Sequence, residues 1–447
     1  MARPAAIRSL APLRHRGFRR LVGGQFASNV GDAFYAVALP WYVLAEHGGP
    51  VLLGTVLVAY GVPRTAALIA GGHASDRWRP WTVMMTTDTV RAAAAAALAV
   101  AAGLGPARAV VLVPIAVVLG AGEGLFLPGS FAIVPALLPD ADLQAGNALT
   151  SGGTQLATLA GPALGGAMVA LLGPAPAFAI DAASFGVSAL TLAGVRAATR
   201  PAADGTPATA PPAGPAPAAG AARDPGTGRL TVRAVLRSER ILQLMLLLTV
   251  AANLGSGGVD GVALPSLAHG PLHAGAAGYG GLIAAFGAGA LLGTLAAGQA
   301  RGVRRPAVTG SIAFAAEALF LSLVPYLGGT IAAGAALVVF GALNGFGNVV
   351  MITIFQRWCP PELLGRLTGL LMTASFGVFP VSVALGALVV RTLGPAPFFP
   401  LAGAAVAAAI VVGLSQRAWR ELGAAAPSRR PANRPPGPAP AETAGLS

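Results

Sequence analysis

The chain lacks lysine altogether, and it carries one cysteine and few charges of either sign. Charged residues make up 10% of the 447 positions, against about 25% in a soluble globular domain. So few cannot cover a water-facing surface of ordinary area, and most of that surface must therefore meet lipid. The single cysteine, Cys359, excludes an internal disulfide and a cysteine metal cluster. The absence of lysine excludes the phosphate-binding GxxxxGK[ST] loop, and with it ATP-driven work by this chain alone. There is no HExxH zinc motif, and His15, His47, His73, His269 and His273 do not cluster within apolar runs. No enzyme chemistry, metal or cofactor is expected. The opening segment, MARPAAIRSLAPLRHRGFRR, lacks a short apolar core followed by a cleavage site, so it reads as a retained cytoplasmic segment.

What fills the chain is apolar sequence, 55% of it, with a mean hydropathy of +0.70. Runs of about 20 residues recur, each long enough to cross about 30 Å of hydrocarbon as a helix. Six are expected near 19–45, 51–73, 83–104, 109–134, 146–172 and 175–196. Six more follow near 241–267, 275–299, 307–327, 330–356, 366–392 and 396–416. Gly173-Pro174 and Gly394-Pro395 break weakly separated runs and suit tight turns between antiparallel helices. The expected fold is an all-α polytopic membrane protein of twelve transmembrane helices. Residues 1–196 form an N-terminal six-helix bundle and 240–417 a C-terminal one. The Ala/Pro/Gly-rich stretch 197–239 and the tail 418–447 have almost nothing to bury and are expected to be disordered.

The net charge of +13 comes from 29 basic residues, all arginine. They sit in breaks between apolar runs, which argues for membrane topology rather than nucleic acid. Six precede or open the first span, seven fall at 196–240, and only Arg108 and Arg391 occupy the opposite side. Both termini and the central loop are therefore expected in the cytoplasm of a plasma-membrane protein.

The halves also repeat. NVGDAFYAVALP at 29–40 recurs as NLGSGGVDGVALP at 253–265, VLGAGEG at 118–124 as VFGALNG at 339–345, and GGHASDRWRP at 71–80 as AGQARGVRRP at 297–306. Three matches in one order, at offsets of 221 to 226 residues, point to duplication of a six-span unit. Parallel repeats of this kind are a transporter architecture, with the substrate site between the halves near mid-membrane.

On these features the chain resembles the major facilitator superfamily. Gly72, Asp76 and Arg77 match its signature loop between spans 2 and 3, although Arg79-Pro80-Trp81 replaces the usual Gly-Arg-Arg. GPALGG at 161–166 resembles a second signature, that of the family's antiporters: Gly161, Pro162, Gly165 and Gly166 fit, while Ala157 stands where a glycine is usual. The opening LRHRGFRRLVGGQFASNVGDAFYAVALPWYVL and DTVRAAAAA in span 3 look like the efflux branch that includes the enterobactin exporter. The resemblance implies two bundles related by pseudo-two-fold symmetry, a small-molecule substrate, protons, a lipid bilayer and no nucleic acid as partners, and a monomer. It also implies that spans 1, 4, 7 and 10 line a central cavity. Asp76 is then a latch against the start of span 11 near Gly365-Arg366, one-sided because Gly302 stands at its repeat position.

An ionisable side chain at the centre of a span costs at least about 2.5 kcal/mol on insertion scales, so each needs a reason. Asp32, Arg64 and Glu123 fall near mid-span. Either an acid takes up a proton beside Arg64, or the charges form a buried pair that fixes packing. Asp260 belongs either to the cavity or to headgroup water toward the outer end of span 7. Asp181 is expected to be solvated at a helix end, and Glu317 to make a protein-facing hydrogen bond. Asp88 and Arg91, three apart, share a helix face and are grouped with the gating loop. Gln25, Asn29, Asn344, Asn348 and Gln356 are candidates for substrate contact or for hydrogen bonds between helices. Trp41 and Tyr42 are expected as interface anchors. The small residues of GPALGG allow close helix approach in lipid. Together these features predict a secondary transporter that exports a small amphipathic compound, a drug-like or siderophore-like molecule, by proton-coupled alternating access. Metabolite uptake, a lysophospholipid-flippase-like transporter and a non-transporting membrane sensor on the same fold are the alternatives.

Overall fold

The computed structural model describes residues 10–77, 79–198, 239–300, 305–359 and 361–422. Among them are twelve long helices, α1 to α12. The first six are Arg16–Ala45, Gly49–Arg77, Pro80–Leu104, Ala109–Leu137, Asp140–Leu172 and Pro174–Ala198. In the second six, α7 starts as Arg240–Gly258 and runs on through Val259–Ala263 to His269. Then come α8 Gly275–Gln299, α9 Pro306–Leu323, α10 Thr330–Trp358, α11 Pro361–Leu393 and α12 Phe398–Ser415. Eleven of the twelve are long and apolar enough to cross a membrane. The exception is α1, whose apolar run is interrupted by Gln25, Asn29 and Asp32. Several helices outrun their expected spans: α5 begins at Asp140 rather than 146, and α11 at Pro361 rather than 366. At 1.5 Å per residue, 33 residues reach about 50 Å, so their polar first turns stand clear of the hydrocarbon.

The packing reproduces the sequence repeat. In the first half α1 lies against α5 and α6, α2 against α4, and α3 against α4 and α6. In the second half α7 lies against α11 and α12, α8 against α10, and α9 against α10 and α12. Each contact maps onto its counterpart when six is added to the helix number. Between halves, α5 packs on α8 and α2 on α11, a pair of contacts that also exchanges under the same operation. The halves are related by pseudo-two-fold symmetry.

Small residues make the closest approaches possible. Gly120 and Gly124 of α4 lie on the backbone carbonyls of Tyr60 and Arg64 in α2, and Gly341 and Gly345 of α10 lie on those of Phe286 and Ala290 in α8. A side chain at any of these would overlap main chain. Gly173 and Gly394, at the Gly-Pro turns, adopt φ of 81° and 86°, which glycine takes without strain.

One difference between the copies has a structural counterpart. The segment 253–265 is one residue longer than 29–40. Its helix accommodates the extra residue as a π-helical segment, Val259–Ala263, whose i→i+5 bonds take up one more residue per turn. Ser382 of α11 braces this site by accepting the Gly258 N–H at 2.6 Å.

Apart from Arg64 and Arg91 at mid-depth, the arginines of the described residues divide by end. Arg14, Arg16, Arg19, Arg20, Arg79, Arg240, Arg305, Arg357, Arg417 and Arg420 mark one end of the bundle, and Arg108 and Arg391 the other. Toward the latter end the halves meet. Trp41 of α1 stacks edge-on against His269 at 5.2 Å, and a Cβ on Gly166 would come within 2.7 Å of the Ala276 carbonyl. Mid-way down, Thr65 donates to the Phe376 carbonyl at 3.1 Å. Tyr42 is 2% exposed and donates to the Gly105 carbonyl at 2.9 Å, so it is a core residue rather than an interface anchor. The expected tail begins inside the packing, for Trp419 is buried and donates to Ser311 at 3.0 Å. Most of the 197–239 stretch, Gly302 and the tail from 423 lie outside the described residues, as do the side chains of Asp76, Arg77 and Arg366 and the surroundings of Gly72 and Gly365.

The glycine seams give a stability prediction. Gly120→Val or Gly341→Val will lower stability by about 1–3 kcal/mol, the usual cost of overpacking. Gly152→Ala, where a Cβ meets nothing within 4 Å, will leave it unchanged. Thermal unfolding of detergent-solubilised variants reads the difference.

Candidate functional site

Two cavities run from mid-depth to the arginine-rich end, one in each half. The first, of about 410 Å³, is lined by Gln25, Asn29 and Asp32 of α1, Glu123 and Phe131 of α4, Thr154 of α5 and Arg91 of α3. Asn29 donates to Thr154 at 3.1 Å, and the buried Gln25 carbonyl oxygen has no hydrogen-bond partner among the described residues.

The charges at its wall form three ion pairs around two arginines. Arg91 Nη2 donates to Asp32 Oδ1 at 2.9 Å. Its Nη1 lies 3.7 Å from Asp88 Oδ1, an ion pair without a hydrogen bond. Arg64 Nη2 lies 2.8 Å from Glu123 Oε1, and the Tyr60 hydroxyl donates to Glu123 Oε2. The sequence gives each of these groups a route. Gly122 has no side chain where a Cβ would sit 2.7 Å from Arg91 Cγ, so the arginine crosses α4 there. Phe185 of α6 supports the guanidinium from behind, 3.9 Å from ring centroid to Cζ. Gly120 and Gly124 bring α2 close enough for Tyr60 and Arg64 to reach Glu123 between them.

Several expectations are corrected by this arrangement. Arg91 belongs to the cavity wall and not to the gating loop, because its helix face turns toward α1 and α4. Asp88 is fully buried beneath it. Asp32 takes Arg91 as its hydrogen-bonded partner, while Arg64 pairs with Glu123. Arg64 also lies over the Phe376 ring of α11, 4.4 Å from its centroid, and so touches the other half. Asp181 is 1% exposed rather than solvated, and its Oδ1 would meet a Cβ on Gly31, one residue from Asp32. Tyr60 was missed by the sequence reading. Its place one turn before Arg64, on the face that Gly120 and Gly124 approach, is the signal that finds it.

The second cavity, of about 580 Å³, is lined by α7, α9, α10 and α11, and holds Asn344, Asn348, Gln356, Asp260 and Glu317. Asn344 donates to Glu317 Oε1 at 2.9 Å, and Asn348 donates to Asn344 Oδ1 at 3.1 Å. Asp260 rides on the π segment and is exposed to the cavity. Of the glycine motif, Gly161 faces Ala33 and Gly165 faces Phe34 of α1, whereas Gly166 and the Pro162 carbonyl face Gly280 of α8. The motif thus binds α5 to its own half on one side and to the other half on the next.

Breaking the Arg91 cluster has a calculable direction. Arg91→Ala leaves Asp88 and Asp32 without a cation and will cost about 3 kcal/mol, the lower end of the range for a broken buried pair. Adding Asp32→Asn will recover part of that loss and not all, because Asp88 remains unmatched. A double-mutant cycle on thermal unfolding measures both terms.

Comparison with known proteins places the fold in a family. A family model described as transmembrane secretion effector matches residues 7–436. The multidrug efflux pump Tap of Mycobacterium tuberculosis is 30% identical over 172 residues, which cover 37% of this chain and 41% of the pump. The match thus spans less than half of that relative's length. The enterobactin exporter EntS of Citrobacter koseri is 25% identical over 411 residues, covering 90% of this chain and 91% of the exporter. Among solved structures, a bacterial homologue of the iron transporter ferroportin in the inward-facing state shares the fold. Its TM-score is 0.69 at 15% identity, covering 91% of this chain and 98% of that one.

Proposed function

Since the chain belongs to the transmembrane secretion effector family of the major facilitator superfamily, multi-pass membrane transporters of small molecules, we propose that it exports a small amphipathic compound in exchange for protons by alternating access. The observation that carries this is the pair of arginine–carboxylate contacts on the wall of a cavity open at one end. The names of its relatives, an efflux pump and an exporter, favour the outward direction.

The chemistry follows from charge matching in a low-dielectric wall. Ionised Asp32 holds Arg91 and so ties α1 to α3. Ionised Glu123 holds Arg64 and ties α4 to α2. A proton on either acid replaces the ion pair with a neutral carboxyl and frees a guanidinium. Freeing Arg64 matters to the other half as well, because the same guanidinium lies on Phe376 of α11. Protonation of Glu123 thereby changes a contact across the seam between the halves, which is what coupling requires. Proton uptake from outside displaces the substrate and favours the return to the inward-open state, where the proton is lost to the cytoplasm.

The arginine-rich end faces the cytoplasm in this reading, by the rule that arginine-rich connections stay inside. The structure then corresponds to an inward-open state, with α5–α8 and α2–α11 sealing the outer side. Asp76, whose side chain lies outside the described residues, is the acid proposed to latch the inner side when it closes, and its repeat position in the sequence is Gly302. The transporter works as a monomer, since both halves of the pathway lie in one chain.

Asp32→Asn and Glu123→Gln, reconstituted in proteoliposomes, will insert and fold but lose at least about tenfold in transport driven by a pH gradient. Unchanged gradient-driven accumulation in both variants would remove these acids from coupling.

A further inference from the structure

The two cavities are built on the same scaffold but carry opposite charge logic. At the α2–α4 seam, Gly124 lies on the carbonyl of Arg64. At the equivalent α8–α10 seam, Gly345 lies on the carbonyl of Ala290. The cation of the first half therefore has a methyl group as its counterpart. Glu123 corresponds to Asn344 within the matched GAGEG and GALNG strings. In α9 the register is fixed by another close contact: Met84 packs on Gly129 in the first half, and Gly310 packs on Val350 and Met351 in the second. That register sets Glu317 at the position of Arg91. The guanidinium that neutralises the first cavity is replaced by a carboxylate in the second.

The consequence is a wall with two acids and no base. Asp260 and Glu317 line the second cavity, and no arginine or histidine is among its lining residues. Among the described residues, neither acid makes an ion pair. Glu317 Oε1 is held by Asn344, while its Oε2 is buried without a hydrogen-bond partner. The rest of the surface is apolar and soft, formed by Met245, Phe314, Phe340, Phe355, Met372 and Trp419. Aromatic faces attract cations, and thioether side chains adapt to varied shapes. A carboxylate in a span needs a positive partner, and the described residues supply none here.

We propose that the second cavity is the substrate-binding site and that its ligand is a lipophilic organic cation, whose charge lies against Glu317 and Asp260 and whose body lies on the aromatic and methionine wall. This rests on the transporter reading given above and specifies its substrate class. The first cavity, neutralised by its own arginines, keeps the coupling role.

Tetraphenylphosphonium and tetraphenylborate test the proposal, because they match in shape and apolar surface and differ in the sign of a permanent charge. Binding of each is measured by equilibrium dialysis to the purified full-length chain in a neutral detergent, with no pH gradient. The phosphonium will bind and the borate will bind at least about tenfold more weakly. Glu317→Gln and Asp260→Asn will each weaken phosphonium binding by about tenfold and leave the borate unaffected. Equal binding of the two ions overturns the proposal, as does phosphonium affinity unchanged in both variants. If Glu317→Gln fails to fold, Asp260→Asn, whose side chain faces the cavity, decides alone. Binding without a gradient separates this from coupling. Proton-driven export with no preference for the cation defeats the substrate class only, and cation binding without proton-driven export defeats the coupling only.

Discussion

A guanidinium buried among apolar helices must find its counter-charge in the protein, and the first half of this chain is organised around that requirement. Arg91 is 4% exposed and meets Asp32, Asp88 and the Phe185 ring from three other directions. To reach Asp32 of α1 it must pass α4, which is possible because position 122 is glycine. The neighbouring glycines, 120 and 124, draw α2 in so that Arg64 can pair with Glu123. One short string, GAGEG, therefore supplies the helix seam, the passage for one arginine and the acid for the other. Removing any of these leaves an unmatched charge in a medium that does not solvate it.

The second half keeps the scaffold and discards the arginines. Its glycines repeat the seam, its helices repeat the packing, and its charged positions change sign or disappear. In the proposed function, symmetry of backbone would let the halves rock as similar bodies about the α5–α8 and α2–α11 seams. Asymmetry of charge would then assign them different work, proton exchange against arginine-held acids in one half and ligand binding in the other. The π segment in α7 belongs to this division, since it carries Asp260 on the wall of the second cavity, where the shared VALP endings set Tyr35 as its counterpart in α1.

Much of the fold was legible in the sequence because lipid leaves few ways to satisfy a backbone. Runs of apolar residues had to be helices, and three matched strings gave the duplication. Even the π segment was visible as one surplus residue between Asn253 and Pro265. The side-chain partnerships were not. In helices filled by alanine, glycine, valine and leucine, nothing in the pattern marks which face turns inward, so Arg91 looked like part of the neighbouring turn and Asp181 like a helix end. Asp32 and Glu123 stood out because a lone acid in a span is conspicuous, but which arginine each meets depends on helix rotation. The repeat held a clue that single-residue reasoning passed over, for Arg91 and Glu317 stand at the same 226-residue offset that relates the two turns after α2 and α8.

The central claim is that the ionisation of the acids in the first cavity sets which end of the bundle is open. Spin labels at Asn147 of α5 and Leu295 of α8, both exposed toward the arginine-rich end, report the separation of the halves there. Labels at Leu171 and Ile331, exposed at the opposite end, report the other side. Pulsed electron resonance on both pairs across a pH series gives the answer. The account predicts that acidification lengthens the first distance as it shortens the second, and that Asp32→Asn with Glu123→Gln holds both at their acid values at every pH. Distances that change together, or a pH response that survives in the double variant, would contradict it.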